Sequence, residues 1–100
     1  MYKVIILGWL DERLPETQEA FVGIRETIFK DGALDVKTKE LIAIVSGNLM
    51  RCEACVRIHS ERAKQHGATE DEIAEAISTG LFVAAGSQLH WNKVLDDIMK

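Results

Sequence analysis

The chain contains very little that would stop a helix. It has one proline and seven glycines in 100 residues, and between them apolar residues recur at the three- and four-residue spacing of a helical face. Pro15 suits a first helical turn, where its missing N–H has no partner to lose, and Glu16 and Glu19 favour the positive end of the dipole. Ala20, Phe21, Ile24 and Ile28 mark one stripe running to about Lys30, and Asp31-Gly32 then breaks it. Asp35 is an N-cap candidate for a helix from about Val36 to Met50. Every residue from Leu41 to Val45 is apolar, which predicts burial on several sides, and the small Ala43, Ser46 and Gly47 leave room for another helix. After a short joint at Arg51, a further helix is expected from Cys52 or Glu53 to His66, with Gly67 ending it in a left-handed conformation. Thr69 and Glu72 form the capping box of the next helix, whose face carries Ile73, Ala76, Ile77 and Leu81, and where Gly80 and Ala84 again permit close packing. Gly86-Ser87 marks a kink or joint before a last helix through Trp91, Val94, Leu95 and Ile98. The first ten residues fit either a short strand or an apolar helical turn. The expected fold is all-α: one compact domain over residues 1–100, of about five or six helices with short loops and antiparallel neighbours.

Charge and hydropathy narrow the function. The formal net charge is -4, with 47% hydrophobic and 28% charged residues, and the Lys and Arg residues are scattered rather than gathered into the basic stripe that nucleic acid requires. The apolar run Val4 to Leu10 follows Lys3 and meets Asp11, Glu12 and Arg13 without a small-residue cleavage site. It is also too short to span a bilayer. These features predict a cytoplasmic protein with no membrane and no nucleic-acid partner. The helices expected over residues 36–50 and 70–85 are more apolar than a lone domain of this size can cover, which predicts self-association.

The two cysteines, Cys52 and Cys55, stand two residues apart. A bridge closing so small a loop removes little unfolded-state entropy, so it makes a poor structural staple. In a reducing compartment the spacing points to redox chemistry or metal binding. On a helical wheel Cys52, Cys55 and His59 share one stripe. The cysteines lie at the helix N-terminus, where unpaired N–H groups and the dipole favour an anion. His59, one turn beyond Cys55, is placed to take a thiol proton directly or through water. Antiparallel packing against the preceding helix would bring Glu40 beside His59, where a carboxylate would orient the imidazole. Zinc is the rival reading, since Cys52, Cys55, His59 and Glu40 offer sulfur, nitrogen and oxygen ligands. Structural zinc sites usually draw on two separated ligand pairs, however, and no second pair exists here. His66 and His90 read as a dipole-facing and a surface residue. Arg51 and Arg57 sit close enough to influence the thiols, and Trp9, Phe21, Phe29, Phe82 and the three methionines read as core, interface or pocket lining.

The stretch Lys39-Glu40-Leu41-Ile42-Ala43, followed by Cys52-Glu53-Ala54-Cys55 and His59, resembles the alkyl hydroperoxidase D-like branch of the carboxymuconolactone decarboxylase family. The pattern of that branch is a Glu twelve residues before C-x-x-C-x-x-x-H, and Glu40, Cys52, Cys55 and His59 meet every position. The resemblance extends from about Leu14 to Gly86. It implies an all-helical fold assembling as trimers or hexamers, and a thiol-dependent peroxidase or disulfide reductase of antioxidant defence. It also implies Cys55 as the attacking thiol, Cys52 as its disulfide partner, and His59 and Glu40 as the proton relay. The partners implied are a peroxide or a partner-protein disulfide and an external dithiol reductant, with no bound cofactor or metal. The chain departs from well-studied relatives at Ala54, where they carry a second histidine. The alternatives are a zinc-binding or non-catalytic helical oligomer, and a decarboxylase-like enzyme acting on a small organic acid.

Overall fold

The computed structural model describes residues 8–100. Six α-helices follow in order: α1 (Gly8–Arg13), α2 (Pro15–Ile28), α3 (Val36–Leu49), α4 (Glu53–Gln65), α5 (Glu70–Trp91) and α6 (Val94–Ile98). There are no strands among the described residues. The expected all-α architecture is therefore the observed one. Of the first ten residues, Gly8, Trp9 and Leu10 open α1, and the rest of that expectation lies outside the described residues.

Local chemistry sets most helix ends. Pro15 begins α2. Asp35 caps α3, its Oδ1 accepting the Thr38 N–H at 2.8 Å. Thr69 and Glu72 form the reciprocal capping box of α5, with the Glu72 N–H donating to Thr69 Oγ1 at 3.0 Å and the Thr69 N–H to Glu72 Oε1 at 2.9 Å. Hydrogen bonds hold both carboxylates below the usual carboxylate range. For Asp35 the donor is Thr38; for Glu72 it is first the Thr69 N–H, then the Lys37 ammonium.

Two Schellman turns connect the helices around the core. At the end of α4 the Gly67 N–H donates to Lys64 O and the Ala68 N–H to Ala63 O, with Gly67 at φ +93°. At the end of α3 the Arg51 N–H donates to Asn48 O and the Cys52 N–H to Gly47 O, with Arg51 at φ 58°. Both reproduce the paired bonds that satisfy a helix's last carbonyls. The first uses glycine, as expected from sequence. The second forces a non-glycine residue into left-handed space, which costs about 1 kcal/mol. The turn at Arg51 is so tight that α4 starts at once, with Cys52 as its N-cap.

One expected joint is absent. α5 runs unbroken through Gly86-Ser87 and the chain turns only at Asn92-Lys93. A mid-helix glycine costs about 1 kcal/mol. That is too little to break a 22-residue helix in which Ser87 Oγ also donates back to Ala84 O at 2.6 Å.

α3 is the centre of the packing, with α4 on one side and α5 on the other, while α1 packs chiefly on α2. The core is Ile44, Ala63 and Ala68, with Leu41, Val56, Ile73 and Ile77 partly buried against it. Two glycines permit the close approaches. A Cβ on Gly47 would lie 2.8 Å from Cys55 Cβ, and one on Gly80 would lie 2.6 Å from Val45 Cγ1. The Lys37–Glu72 ion pair at 2.9 Å ties the start of α5 to α3.

The single chain leaves much apolar surface open. Its radius of gyration is 17.5 Å, against about 13 Å for a compact chain of 100 residues. Its accessible surface is 7801 Å², against about 5,700 Å² for a compact monomer of this mass. α2 has no buried residue, and its apolar stripe of Phe21, Ile24 and Ile28 faces solvent, as do Trp9, Phe82, Trp91 and Met99. Of these, Trp9, Phe21, Phe82 and Met99, expected as core, interface or pocket lining, are not core. The Leu41–Val45 run is likewise buried on one side only: Ile44 is enclosed while Ile42 is half exposed.

Candidate functional site

The crossing of α3 and α4 brings the four sequence candidates together. Cys52 and Cys55 are joined as a disulfide, with their Cα atoms 5.2 Å apart. Cys52 caps α4, and its Sγ accepts the Cys55 N–H at 3.2 Å. A sulfur held on a helix's first turn by a backbone donor is stabilised as a thiolate once the bridge opens. Cys55 lies one turn inside, against Gly47, where no larger residue fits without displacing it.

His59 follows one turn later and is buried, with 7% of its surface exposed. Its Nδ1 lies 2.6 Å from Glu40 Oε1, a contact across 19 residues of sequence that exists because α3 and α4 pack antiparallel. Glu40 is fully enclosed. In the tautomer that carries its proton on Nδ1, the imidazole donates to this carboxylate and presents Nε2 as its basic nitrogen. The other Glu40 oxygen, Oε2, is buried with no protein hydrogen-bond partner. Burying a carboxylate is costly without paired or hydrogen-bonded neighbours, and enclosing one beside a core that has three buried apolar residues among those described spends stability on polar geometry.

Sequence reasoning missed what covers the imidazole. The Phe29 ring stacks on His59 with centroids 5.3 Å apart and planes inclined by 19°. Phe29 belongs to no helical stripe in the sequence, since it is the residue that ends α2. Its single signal was aromaticity beside the Asp31-Gly32 break.

His59 and both cysteines line one open groove of about 490 Å³ together with Ala43, Ser46, Gly47 and Met50 of α3. The walls are mostly apolar, and Met50 stands at 79% exposure beside them. The arrangement unites a reducible sulfur pair, an imidazole held by a carboxylate, and access for a small or flexible reactant, which are the parts thiol–disulfide exchange needs. Arg57 is committed to Glu53 at 2.6 Å on the exposed side of α4. His66 caps the far end of α4, and His90 sits exposed in the last turn of α5. Among the described residues no three His, Cys, Asp or Glu side chains are grouped to hold a metal ion, and no helix is long and apolar enough to cross a membrane.

The chain is similar to known proteins over most of its length. The family model of the carboxymuconolactone decarboxylase family matches residues 15–95. An uncharacterized protein of Paracoccus denitrificans, number 4 in its cox locus, is 39% identical over 84 residues, covering 80% of this chain and 76% of the relative. A crystal structure from Methanobacterium thermoautotrophicum superposes with a TM-score of 0.78 at 37% identity, covering 84% of this chain and 97% of the other. A Thermotoga maritima structure gives a TM-score of 0.64 at 38% identity, covering 68% and 70% of the two chains. It is described as a carboxymuconolactone decarboxylase family protein with a possible involvement in antioxidative response.

Proposed function

The chain belongs to the carboxymuconolactone decarboxylase family, and from that premise we propose that it is a thiol oxidoreductase of the alkyl hydroperoxidase D-like kind, reducing peroxides or partner disulfides through Cys52 and Cys55. One observation carries the reading: His59, paired with the enclosed Glu40 at 2.6 Å, lines the same groove as the linked cysteines. The antioxidative role suggested for the Thermotoga relative points the same way.

Cys55 is the attacking thiol. His59 takes its proton at Nε2, with Glu40 holding the ring and stabilising the cation that forms. In the peroxidase form the Cys55 thiolate attacks one peroxide oxygen and the O–O bond breaks. Cys55 becomes a sulfenic acid and the departing alkoxide receives the proton held by His59. The Cys52 thiolate then attacks the Cys55 sulfur, forming the disulfide and releasing hydroxide, which leaves as water. In the reductase form Cys55 attacks a partner's disulfide, and Cys52 resolves the mixed disulfide. An external dithiol returns the pair to the reduced state in either form, and a cytoplasmic setting keeps such donors available. No step draws on a bound cofactor. The second relay histidine of better-known relatives is replaced by the exposed Ala54, so His59 alone serves Cys55.

The active form in this reading is a homo-oligomer, the trimer or hexamer that the family resemblance implies. The apolar face of α2 and an apolar groove of about 390 Å³ between α3 and α5 supply its contacts. The roughly 2,100 Å² of surface in excess of a compact monomer is more than the 800 Å² or so per partner that a standard interface buries.

Peroxide and disulfide reduction should be assayed for wild type, Cys52→Ser and Cys55→Ser with several dithiol donors. The expected result is complete loss in Cys55→Ser, and in Cys52→Ser an enzyme that forms a trapped sulfenic acid or mixed disulfide without turning over. Full activity in Cys55→Ser would favour a decarboxylase-like reaction on a small organic acid instead. Stoichiometric zinc masking both thiols would favour a metal-binding role.

A further inference from the structure

We propose that Lys39 is a positioning residue for His59, acting through Phe29. The Lys39 ammonium donates to Ile28 O at 2.8 Å and to Lys30 O at 2.7 Å. These two carbonyls bracket Phe29, the residue whose ring stacks on the imidazole. They also lie where α2 ends, at the negative end of its dipole, which a cation suits; Ile28 O accepts the Lys30 N–H as well, at 3.0 Å. One ammonium thus fixes the backbone on both sides of the aromatic ring.

Consecutive residues on α3 thereby hold the imidazole from two directions. Glu40 meets it in the ring plane at Nδ1, and Lys39, about 100° further round the helix, sets the ring that covers its face. The in-plane bond fixes where Nδ1 lies, and the stacked ring limits the swing of the imidazole plane about χ2 and shields one face from water. The loop has other ties, since Asp31 Oδ1 accepts the Val36 N–H at 2.9 Å and the Gly32 N–H donates to Leu34 O at 3.0 Å. Both lie beyond Phe29 toward α3; on the ring's own segment the Phe29 N–H donates to Arg25 O at 2.9 Å and the Lys30 N–H to Ile28 O at 3.0 Å, and the Lys39 bonds tie that segment across to α3. Lys37, two residues earlier on α3, pairs with Glu72 on α5 and serves a different contact.

This inference rests on the proposed role of His59, but its test does not require turnover. A stacked phenyl ring displaces the neighbouring imidazole C–H proton resonances upfield, and two-dimensional NMR of histidine-labelled protein reads that displacement at His59. Lys39→Met should remove it and reproduce the His59 resonances of Phe29→Leu, while Lys39→Arg, which can still donate to two carbonyls, should restore it. Lys37→Met is expected to leave it in place. Thiol oxidation in Lys39→Met should slow by about tenfold, the order expected when a catalytic group loses part of its orientation. His59 resonances in Lys39→Met that coincide with wild type would overturn the proposal. Should Lys39→Met fail to fold, Lys39→Gln takes its place, with a partial loss of the displacement expected and an unchanged spectrum again decisive against it. A chain with normal imidazole shifts in every variant but no peroxide or disulfide reduction would refute both readings. Altered shifts without such activity would uphold the role of Lys39 and refute the function alone.

Discussion

The α3–α4 crossing and the α2 helix invert each other's chemistry. At the crossing, a glutamate and a histidine are enclosed and a glycine is needed to let a cysteine in. On α2, Phe21, Ile24 and Ile28 are each about half exposed, and the helix has no buried residue. A chain that buries its polar groups and exposes its apolar ones is finished at one place and unfinished at the other. The crossing forms within a single chain because the short Arg51 turn sets α3 and α4 antiparallel and brings Glu40 to His59. The apolar stripe of α2 stays half exposed in the single chain, and the proposed oligomer is what would cover it.

The strongest way to break this contrast is to remove polarity from the crossing. Glu40→Ala strips the imidazole of its carboxylate and should lower thiol turnover by about 10²-fold, the scale of a lost general acid–base element. It should also destabilise the fold by about 1–3 kcal/mol through the buried donor it leaves behind. Stopped-flow peroxide reduction and denaturant melts check both. A variant with wild-type turnover would mean that the crossing is packing and not machinery.

The next effect sharpens the other side. Phe21→Glu places a charge on the stripe of α2, where the native ring is already half exposed. In a lone chain it should change stability by less than about 0.5 kcal/mol, yet it should shift the sedimenting species toward monomer. An unaltered mass distribution would show that α2 is not an interface.

The smallest effect belongs to helix ends common to both regions. Asp35 and Glu72 are held below the usual carboxylate range by Thr38 and by Thr69 with Lys37. The unfolded chain therefore binds more protons, and stability rises with pH across their titration. Their contribution is complete above about pH 5 and is lost as the pH falls below about 4, through their lowered native values. Thermal melts followed by circular dichroism between pH 6 and 2.5 should show this loss. Asp35→Asn, which keeps the cap without the charge, should flatten part of the slope.

Legibility in the sequence followed the range of the interaction. The Asp35 cap, the Thr69–Glu72 box, the left-handed Gly67 and the common stripe of Cys52, Cys55 and His59 are all readable, because each involves residues within a turn or two of one another. The Glu40–His59 contact was readable only through the length of the joint at Arg51, which forces the two helices antiparallel. The reach of α5 through Gly86-Ser87 was misread because glycine weakens a helix without ending it. Phe29 and Lys39 were missed as site residues for another reason. Their roles arise where the end of one helix meets the side of another, and no period in the sequence encodes that meeting.

The sequence by itself determined that this chain is helical, where most helices begin, and which three side chains line up at the mouth of α4. Backbone hydrogen bonding and side-chain periodicity act over a few residues and leave their mark in residue order. Only the tertiary structure decided which side of each apolar stripe is covered, that a carboxylate is enclosed 2.6 Å from the imidazole, and that an aromatic ring lies over that imidazole's face. Those outcomes depend on how rigid helices cross in space, and a shift of one ångström there changes every contact while leaving the residue order untouched.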